Sequence, residues 1–258
     1  MAERFDPVRL AQKAKRWVVK VGTSVLTDEK DQRVSRHCVQ GIASEILSLC
    51  GKGKEVILVT SGAIGIGMGV LDLKSRPSDL AKLQAAAATG QGKLMQWYTS
   101  RMEEAGFHAA QVLLTRGDLE DRQRRLNVKA TLETLLAARI IPIINENDTV
   151  STEEIRYGDN DLLSAHVASL VGADLLILLS DVDRIEGFPS VVREITPDLE
   201  KSARGTTRAV STGGMKSKLE AARIVTAHGI PMAVMNGRGC ANLAGLLTEK
   251  DGRGTWFV

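Results

Sequence analysis

The chain has 258 residues, 43% of them hydrophobic and 25% charged, enough to bury a core without disulfide or metal staples. Lys and Arg number 34 against 31 Asp and Glu, a net charge of +3, which is too small to mark a nucleic-acid or membrane partner. Aromatic residues make up only 3%, which argues against base-stacking platforms for single-stranded nucleic acid.

Cys38, Cys50 and Cys240 form no CxxC pair, and His37, His108, His166 and His228 show no HExxH or paired spacing. A metal site built from those residue types is therefore not supported. The N-terminal stretch has no apolar signal-like segment, and no run approaches ~18 apolar residues. A cytoplasmic location without membrane contact is expected.

In chain order, short and continuously apolar runs fall at Trp17–Val21, Glu55–Thr60, Ala109–Thr115, Ile140–Asn145, Asp174–Ser180 and Ile230–Asn236, with a last one in "GTWFV" at the C-terminal end. Runs of that length and character suit strands covered on both faces. Helical spacing predicts helices over Ser35–Leu49, Leu80–Glu104, Asp118–Ala138, Asp161–Val171, Met215–His228 and Ala241–Leu247. The basic run "DRQRR" at Asp121–Arg125 reads as a solvated helix face. Such repeated strand–helix alternation argues for an α/β fold with helices on both faces of a mainly parallel sheet, and a cleft at the strand C-terminal ends. No linker divides the chain, so one domain over residues 1–258, with two lobes, is expected.

Four strand ends carry chemistry. In "VVKVGTSVLT", Lys20 lies inside an apolar strand, costly unless its ammonium reaches water, an anion or a partner. It is either a phosphate lysine beside backbone donors or an outward-pointing edge residue. In "VTSGAIGIGMG", Gly62, Gly65, Gly67 and Gly69 would let backbone approach a ligand. The Walker A string is absent, and Val70 stands where a dinucleotide fingerprint needs its third glycine. Tight helix packing is the other reading of these glycines.

In "STGGMKSKLEAARIV", Lys216 or Lys218 falls in a first helical turn, where the dipole disfavours cations unless an anion is near. Finally, "NENDTVSTEEIRYGDND" at Asn145–Asp161 holds six carboxylates, Glu146, Asp148, Glu153, Glu154, Asp159 and Asp161. Their spacing does not match an EF-hand. Two separated lysines and a carboxylate-rich loop suit phosphoryl transfer, where the protein positions reactants and neutralises phosphate charge.

These motifs, together with "LQAAAATGQ", "LLTRGDLEDRQRRLN", "IPIINENDTV", "GDNDLLSA" and "ADLLILLSDVD", resemble the amino acid kinase family over nearly the whole chain. "NEND…GDND" is the most specific element, and it is similar to that of the members that phosphorylate glutamate. The resemblance implies a three-layer αβα sandwich transferring the γ-phosphoryl group of ATP, with Mg²⁺, to the side-chain carboxylate of L-glutamate. By motif match, Lys20 and Lys218 would be catalytic, with Asp161 orienting them. Ser61, Asp148 and Asn160 would bind glutamate. Ser180, Asp181 and the segment Thr212, Gly213, Gly214, Met215, Lys216, Ser217 and Lys218 would hold the nucleotide, with Lys20 at the transferring phosphoryl group. Gly22 and Gly62 would bring backbone N–H groups to the phosphoryl oxygens.

Glu153 and Glu154 are expected to be solvated loop charges. The resemblance also implies feedback inhibition by proline and a homo-oligomer. Many relatives carry a further C-terminal RNA-binding-like (PUA) domain, and this chain stops before one. The segment "SDVDRIEGFPS" departs from the family, with Arg184 where glycine and Glu186 where tyrosine are usual. That departure motivates a non-catalytic amino-acid sensor as a rival, alongside a kinase of the same fold with another small acceptor.

Overall fold

A computed structural model of the chain describes residues 5–28, 33–151, 160–204, 214–239, 242–249 and 253–258. Its elements run α1 (Pro7–Lys13), β1 (Arg16–Val21), α2 (Thr23–Leu26), α3 (Arg36–Gly51), β2 (Glu55–Val59), α4 (Ala63–Val70) and α5 (Leu80–Glu103). There follow β3 (His108–Leu114), α6 (Arg116–Glu120), α7 (Arg122–Ala137), β4 (Ile140–Glu146), α8 (Asn160–Val171), β5 (Leu175–Ser180), β6 (Val191–Val192) and α9 (Pro197–Arg204). The chain closes with α10 (Met215–Thr226), β7 (Met232–Asn236), a 3-10 turn at Leu243–Leu247 and β8 (Thr255–Phe257).

All eight strands join one sheet in the order β3-β4-β2-β1-β5-β7-β8-β6. Pairing is parallel except between β7 and β8. The strand β1 lies between β2 and β5, with Lys20 level with Val59 on one side and Leu178 on the other. Lys20 is therefore at the middle of the sheet, and the edge-strand reading is overturned.

Alternation along β1 sorts its side chains between two cores. Trp17, Val19 and Val21 pack with α3 and α5 residues such as Ile42, Ile46, Leu94 and Tyr98. Val18 packs with Val59, Leu178 and the α8 and α10 residues Leu163, Val167, Leu219 and Val225. With helices on both faces, the αβα sandwich is as expected. Lys20 shares the parity of Val18, so its side chain leaves the sheet on the face that α8 and α10 cover.

The single helix expected over Asp118–Ala138 is instead two. Thr115 and Asp118 form a capping box at the start of α6, and the Asp121 carboxylate accepts from the Arg124 N–H at 2.8 Å. Asp121 thus starts a new helix inside a continuous polar–apolar pattern, because a side-chain cap there competes with propagation. The short helices α1, α2, α4 and α9 and the two-residue β6 were not anticipated.

Two glycines set the position of α5. A Cβ at Gly67 would stand 1.7 Å from the Ala86 carbonyl oxygen, and one at Gly90 would stand 1.9 Å from that of Ala63. The backbones of α4 and α5 therefore touch, and the Gly67 of the glycine-rich stretch serves this helix crossing rather than a ligand. Gly90→Ala should cost of the order of 1–3 kcal/mol or more through forced separation of the helices. Urea denaturation measures it, and an unchanged midpoint would contradict the close approach.

Candidate active site

The C-terminal ends of β1, β2, β4 and β5 open toward the same edge of the sheet, and α8 carries the chain across β2 and β1 from β4 to β5. Such a change of strand order is where a parallel sheet leaves a crevice. Lys20 and Lys218 meet there on one carboxylate. Lys20 Nζ is 2.6 Å from Asp161 Oδ1, and Lys218 Nζ donates to Asp161 Oδ2 at 3.1 Å. Ser217 Oγ donates to the same Oδ2, also at 3.1 Å. Asp161 is 0% exposed, Lys20 4% and Lys218 8%, so all three charges are withdrawn from water.

Local structure explains why these residues can sit there. Asp161 is in the first turn of α8, where an anion is favoured by the exposed N–H groups. Lys218 is in the first turn of α10, where a cation alone is disfavoured. The shared carboxylate offsets that cost, and it answers which lysine of the "KSK" triplet matters: Lys218 is buried, whereas Lys216 is exposed. Two ammonium groups share this one carboxylate at a place where two helix N-termini converge. An anion suits that place.

Asn160, one residue before Asp161, binds the end of β2. Its Nδ2 lies 2.5 Å from the Thr60 carbonyl oxygen, 3.1 Å from Ser61 Oγ and 2.9 Å from Asn145 Oδ1. Ser61 and Asn160 are thus brought together as expected. Asp148 lies in the turn after β4, half-buried, three residues beyond Asn145. Below the loop, Thr60 Oγ1 and the fully buried Tyr98 hydroxyl are 2.9 Å apart. Burial pushes the Tyr98 phenol well above its ordinary pKa, so it stays neutral and able to donate.

Gly62 adopts φ +101° and starts α4, a backbone conformation open to glycine at little cost. Gly22 departs from expectation, since its N–H donates to the Leu179 carbonyl at 3.2 Å. That amide serves the sheet, and what Gly22 offers the site is the missing side chain beside Lys20 Nζ.

Ser180 and Asp181, expected to contact the nucleotide, follow β5, and Ser180 Oγ donates to Asp181 Oδ1 at 3.2 Å. Gly214, Met215, Lys216 and Ser217 form the start of α10. Thr212 and Gly213 lie outside the described residues, as do Glu153, Glu154 and Asp159. The divergent segment is anchored in the core. Ile185 is buried and its N–H donates to Thr255 Oγ1 at 2.9 Å. Phe188 packs against Phe257 with ring centroids 6.3 Å apart, and Arg184 Nη1 donates to Ser190 Oγ at 2.8 Å.

Sequence reasoning missed Asn145, Gln91, Thr60 and Tyr98. The buried Asn145 donates through Nδ2 to Gln91 Oε1 at 2.8 Å. Its "NEND" signal was read for the acids rather than for its first amide. Gln91 and Tyr98 lie on a helix read only by its periodicity.

Asp161→Asn should remove the charge on the carboxylate that both buried ammonium groups share. A loss of ~3–5 kcal/mol is expected for breaking a buried pair, measured by chemical denaturation. Added sulfate should restore part of it, and an undiminished stability would show that the carboxylate does not hold the lysines.

Comparison with known proteins places this geometry. The sequence profile of the amino acid kinase family matches residues 15–236. The chain is 46% identical over 268 aligned positions to a protein of Moorella thermoacetica named glutamate 5-kinase, covering 100% of this chain and 70% of that one. It is 49% identical over 234 positions to a protein of the same name from Symbiobacterium thermophilum, covering 86% and 88% respectively. For the glutamate 5-kinase of Rhizobium etli, 42% identical, the chain spans 64% of its length. Among solved structures, a carbamate kinase of Giardia matches with a TM-score of 0.65 at 18% identity, covering 95% of this chain and 99% of that one. The Giardia lamblia carbamate kinase bound to AMP-PNP matches with a TM-score of 0.63, also at 18% identity, covering 96% and 99%; these two likenesses bear on the fold alone. With its profile match, its sheet order and its lysine–aspartate–lysine cluster, the chain belongs to the amino acid kinase family.

Proposed function

We propose that the chain transfers the γ-phosphoryl group of ATP to the γ-carboxylate of L-glutamate, giving L-glutamyl 5-phosphate and ADP, the step that opens proline synthesis. The observation that carries this reading is the buried Lys20–Asp161–Lys218 cluster, set beside Ser61 and Asn160. The names of relatives at 41–49% identity support the choice of acceptor.

A glutamate γ-carboxylate, with an ordinary pKa of about 4.3, is ionised at neutral pH. One of its oxygens attacks the γ-phosphorus as the bond from that phosphorus to the bridging oxygen of ADP breaks. No general base is needed, which agrees with the absence of histidine at these strand ends. The obstacle is anion meeting polyanion, and a unit charge pair at ~4 Å is worth ~4 kcal/mol at an effective dielectric near 20. Lys20 and Lys218 offset that repulsion as charge gathers at transfer. Asp161 acts through them, fixing both ammonium groups before substrate arrives. Ser61 and Asn160 hold the acceptor, and Asp148 pairs with its α-ammonium. Ser180, Asp181 and residues 212–218 hold the nucleotide.

Among the described residues, no group of three or more His, Cys, Asp or Glu side chains is arranged to hold a metal. Mg²⁺ would accompany the nucleotide, which Ser180, Asp181 and residues 212–218 would hold, and would supply further charge neutralisation. Feedback inhibition by proline near residues 145–161, a homo-oligomeric assembly and a cytoplasmic location belong to the same reading. The paired lysines weigh against a sensor without turnover.

Coupled measurement of ADP release over a panel of small carboxylates tests the acceptor. L-glutamate should be turned over best, and turnover of another acceptor with glutamate inert would overturn the assignment. Lys20→Ala should lower kcat by two orders of magnitude or more with a modest change in glutamate KM, because its contribution grows at transfer. Asp148→Ala should chiefly raise the glutamate KM, by about tenfold or more for a lost charge pair; an unchanged KM would contradict its role.

A further inference from the structure

One stripe of α5 holds the acceptor side of the crevice. Gln84, Gln91 and Tyr98 are seven residues apart, so they lie along one helix face. Gln84 Nε2 donates to the Ser151 carbonyl at 3.3 Å, Gln91 meets Asn145, and Tyr98 meets Thr60. The Gly67 and Gly90 contacts set the depth of this stripe. The Gln84 amide nitrogen and the Tyr98 hydroxyl thus each have a partner within the protein. The Gln91 amide nitrogen has none among the described residues, although Gln91 is only 8% exposed.

The orientation of that amide follows from fixed backbone groups. The Glu146 N–H donates to Asn145 Oδ1 at 2.9 Å, so Asn145 must present its oxygen there. Asn160 Nδ2, turned to nitrogen by the Thr60 carbonyl, donates to the same oxygen. Asn145 Nδ2 is therefore aimed at Gln91, which must answer with Oε1. That leaves Nε2 pointing onward as the open end of a chain of amides running Ser61–Asn160–Asn145–Gln91. A buried donor left open at a binding crevice is the mark of a group completed by ligand.

The missing acceptor can be placed. Gln91 is two amide side chains farther from Asp161 than Asn160 is, so it stands at the end of the acceptor away from the phosphoryl group. That end of an amino acid carries the α-carboxylate and the α-ammonium on one carbon. Asp148, assigned to the ammonium, follows Asn145 by three residues on the same strand exit. We propose that Gln91 is a specificity-determining residue whose Nε2 donates to the α-carboxylate of the acceptor amino acid. This inference rests on the glutamate reading above.

Gln91→Glu changes little else, since the new carboxylate keeps an oxygen for Asn145 and replaces only the open donor with an acceptor. Burial raises a carboxyl pKa, so the assays run as a pH series and are read on the alkaline arm, where the carboxyl is ionised. The probes are L-glutamate and its α-amide, isoglutamine, which retains the γ-carboxylate but offers an N–H where glutamate has oxygen. For Gln91→Glu, the glutamate KM should rise at least tenfold and by far more than kcat falls, while the ATP KM stays within threefold. The ratio of kcat/KM for isoglutamine to that for glutamate should rise at least tenfold over wild type. Gln91→Met, which has no polar atoms to misplace, should raise the glutamate KM without that reversal in preference.

A ratio unchanged in Gln91→Glu, or both variants losing kcat and KM equally for both acceptors alongside a lowered Tm, would overturn the inference and leave Gln91 a structural residue. Wild-type protein inert toward glutamate would overturn the glutamate reading, and this inference with it. Wild-type turnover with an unchanged ratio overturns this inference alone.

Discussion

One buried carboxylate constrains the whole arrangement. Asp161 has no exposure to water and meets two ammonium groups that come from opposite ends of the chain, Lys20 on β1 and Lys218 on α10. Withdrawing three charges from solvent is expensive, and a pair broken by loss of one partner costs more than the pair gains. The fold must therefore bring a central strand and two helix starts together before any of the three is tolerable. In the proposed reaction, two ammonium groups already held by Asp161 would meet a polyanionic reactant without further rearrangement.

The rest of the structure supports that cluster from two directions. Parallel strands on either side of β1 leave Lys20 only the α8 and α10 face, and α8 presents Asp161 from its first turn. From the other face, α5 reaches around the strand ends with Tyr98 and Gln91 and is drawn close by glycine-to-backbone contact with α4. The lysine–aspartate cluster and the amide network that the proposal assigns to the acceptor thus rest on different layers of the sandwich. They meet at Asn160 and Asp161, adjacent in sequence and facing different partners.

Much of this was legible beforehand, for definite reasons. Apolar runs such as "DLLILLS" have a single comfortable environment, a strand covered on both faces, and they marked the sheet. Lys20 stood out because a charge in such a run demands a partner. Family motifs singled out Lys218 from Lys216 and paired Ser61 with Asn160. Other features were hidden by competition between local and distant effects. The break at Asp121 depends on a cap inside a continuous helical pattern. Gly67 had two readings, ligand approach and tight helix packing, and the structure gives the second, against a helix that no local pattern identifies. Asn145 and Gln91 are 54 residues apart in sequence, so their hydrogen bond has no spacing signature. Gly22 was read as an open donor because the register of β5 beside it was unknown.

The central claim is that the lysine cluster directs phosphoryl transfer onto a carboxylate oxygen of glutamate. Hydroxylamine trapping tests this most directly, since an acyl phosphate reacts with it to give γ-glutamyl hydroxamate and inorganic phosphate. With ATP, Mg²⁺ and L-glutamate, one hydroxamate should form for each ADP released, at a rate at least a hundredfold lower in the Lys20→Ala protein under the same conditions. ADP released without hydroxamate, or hydroxamate formed at the wild-type rate without Lys20, would contradict it.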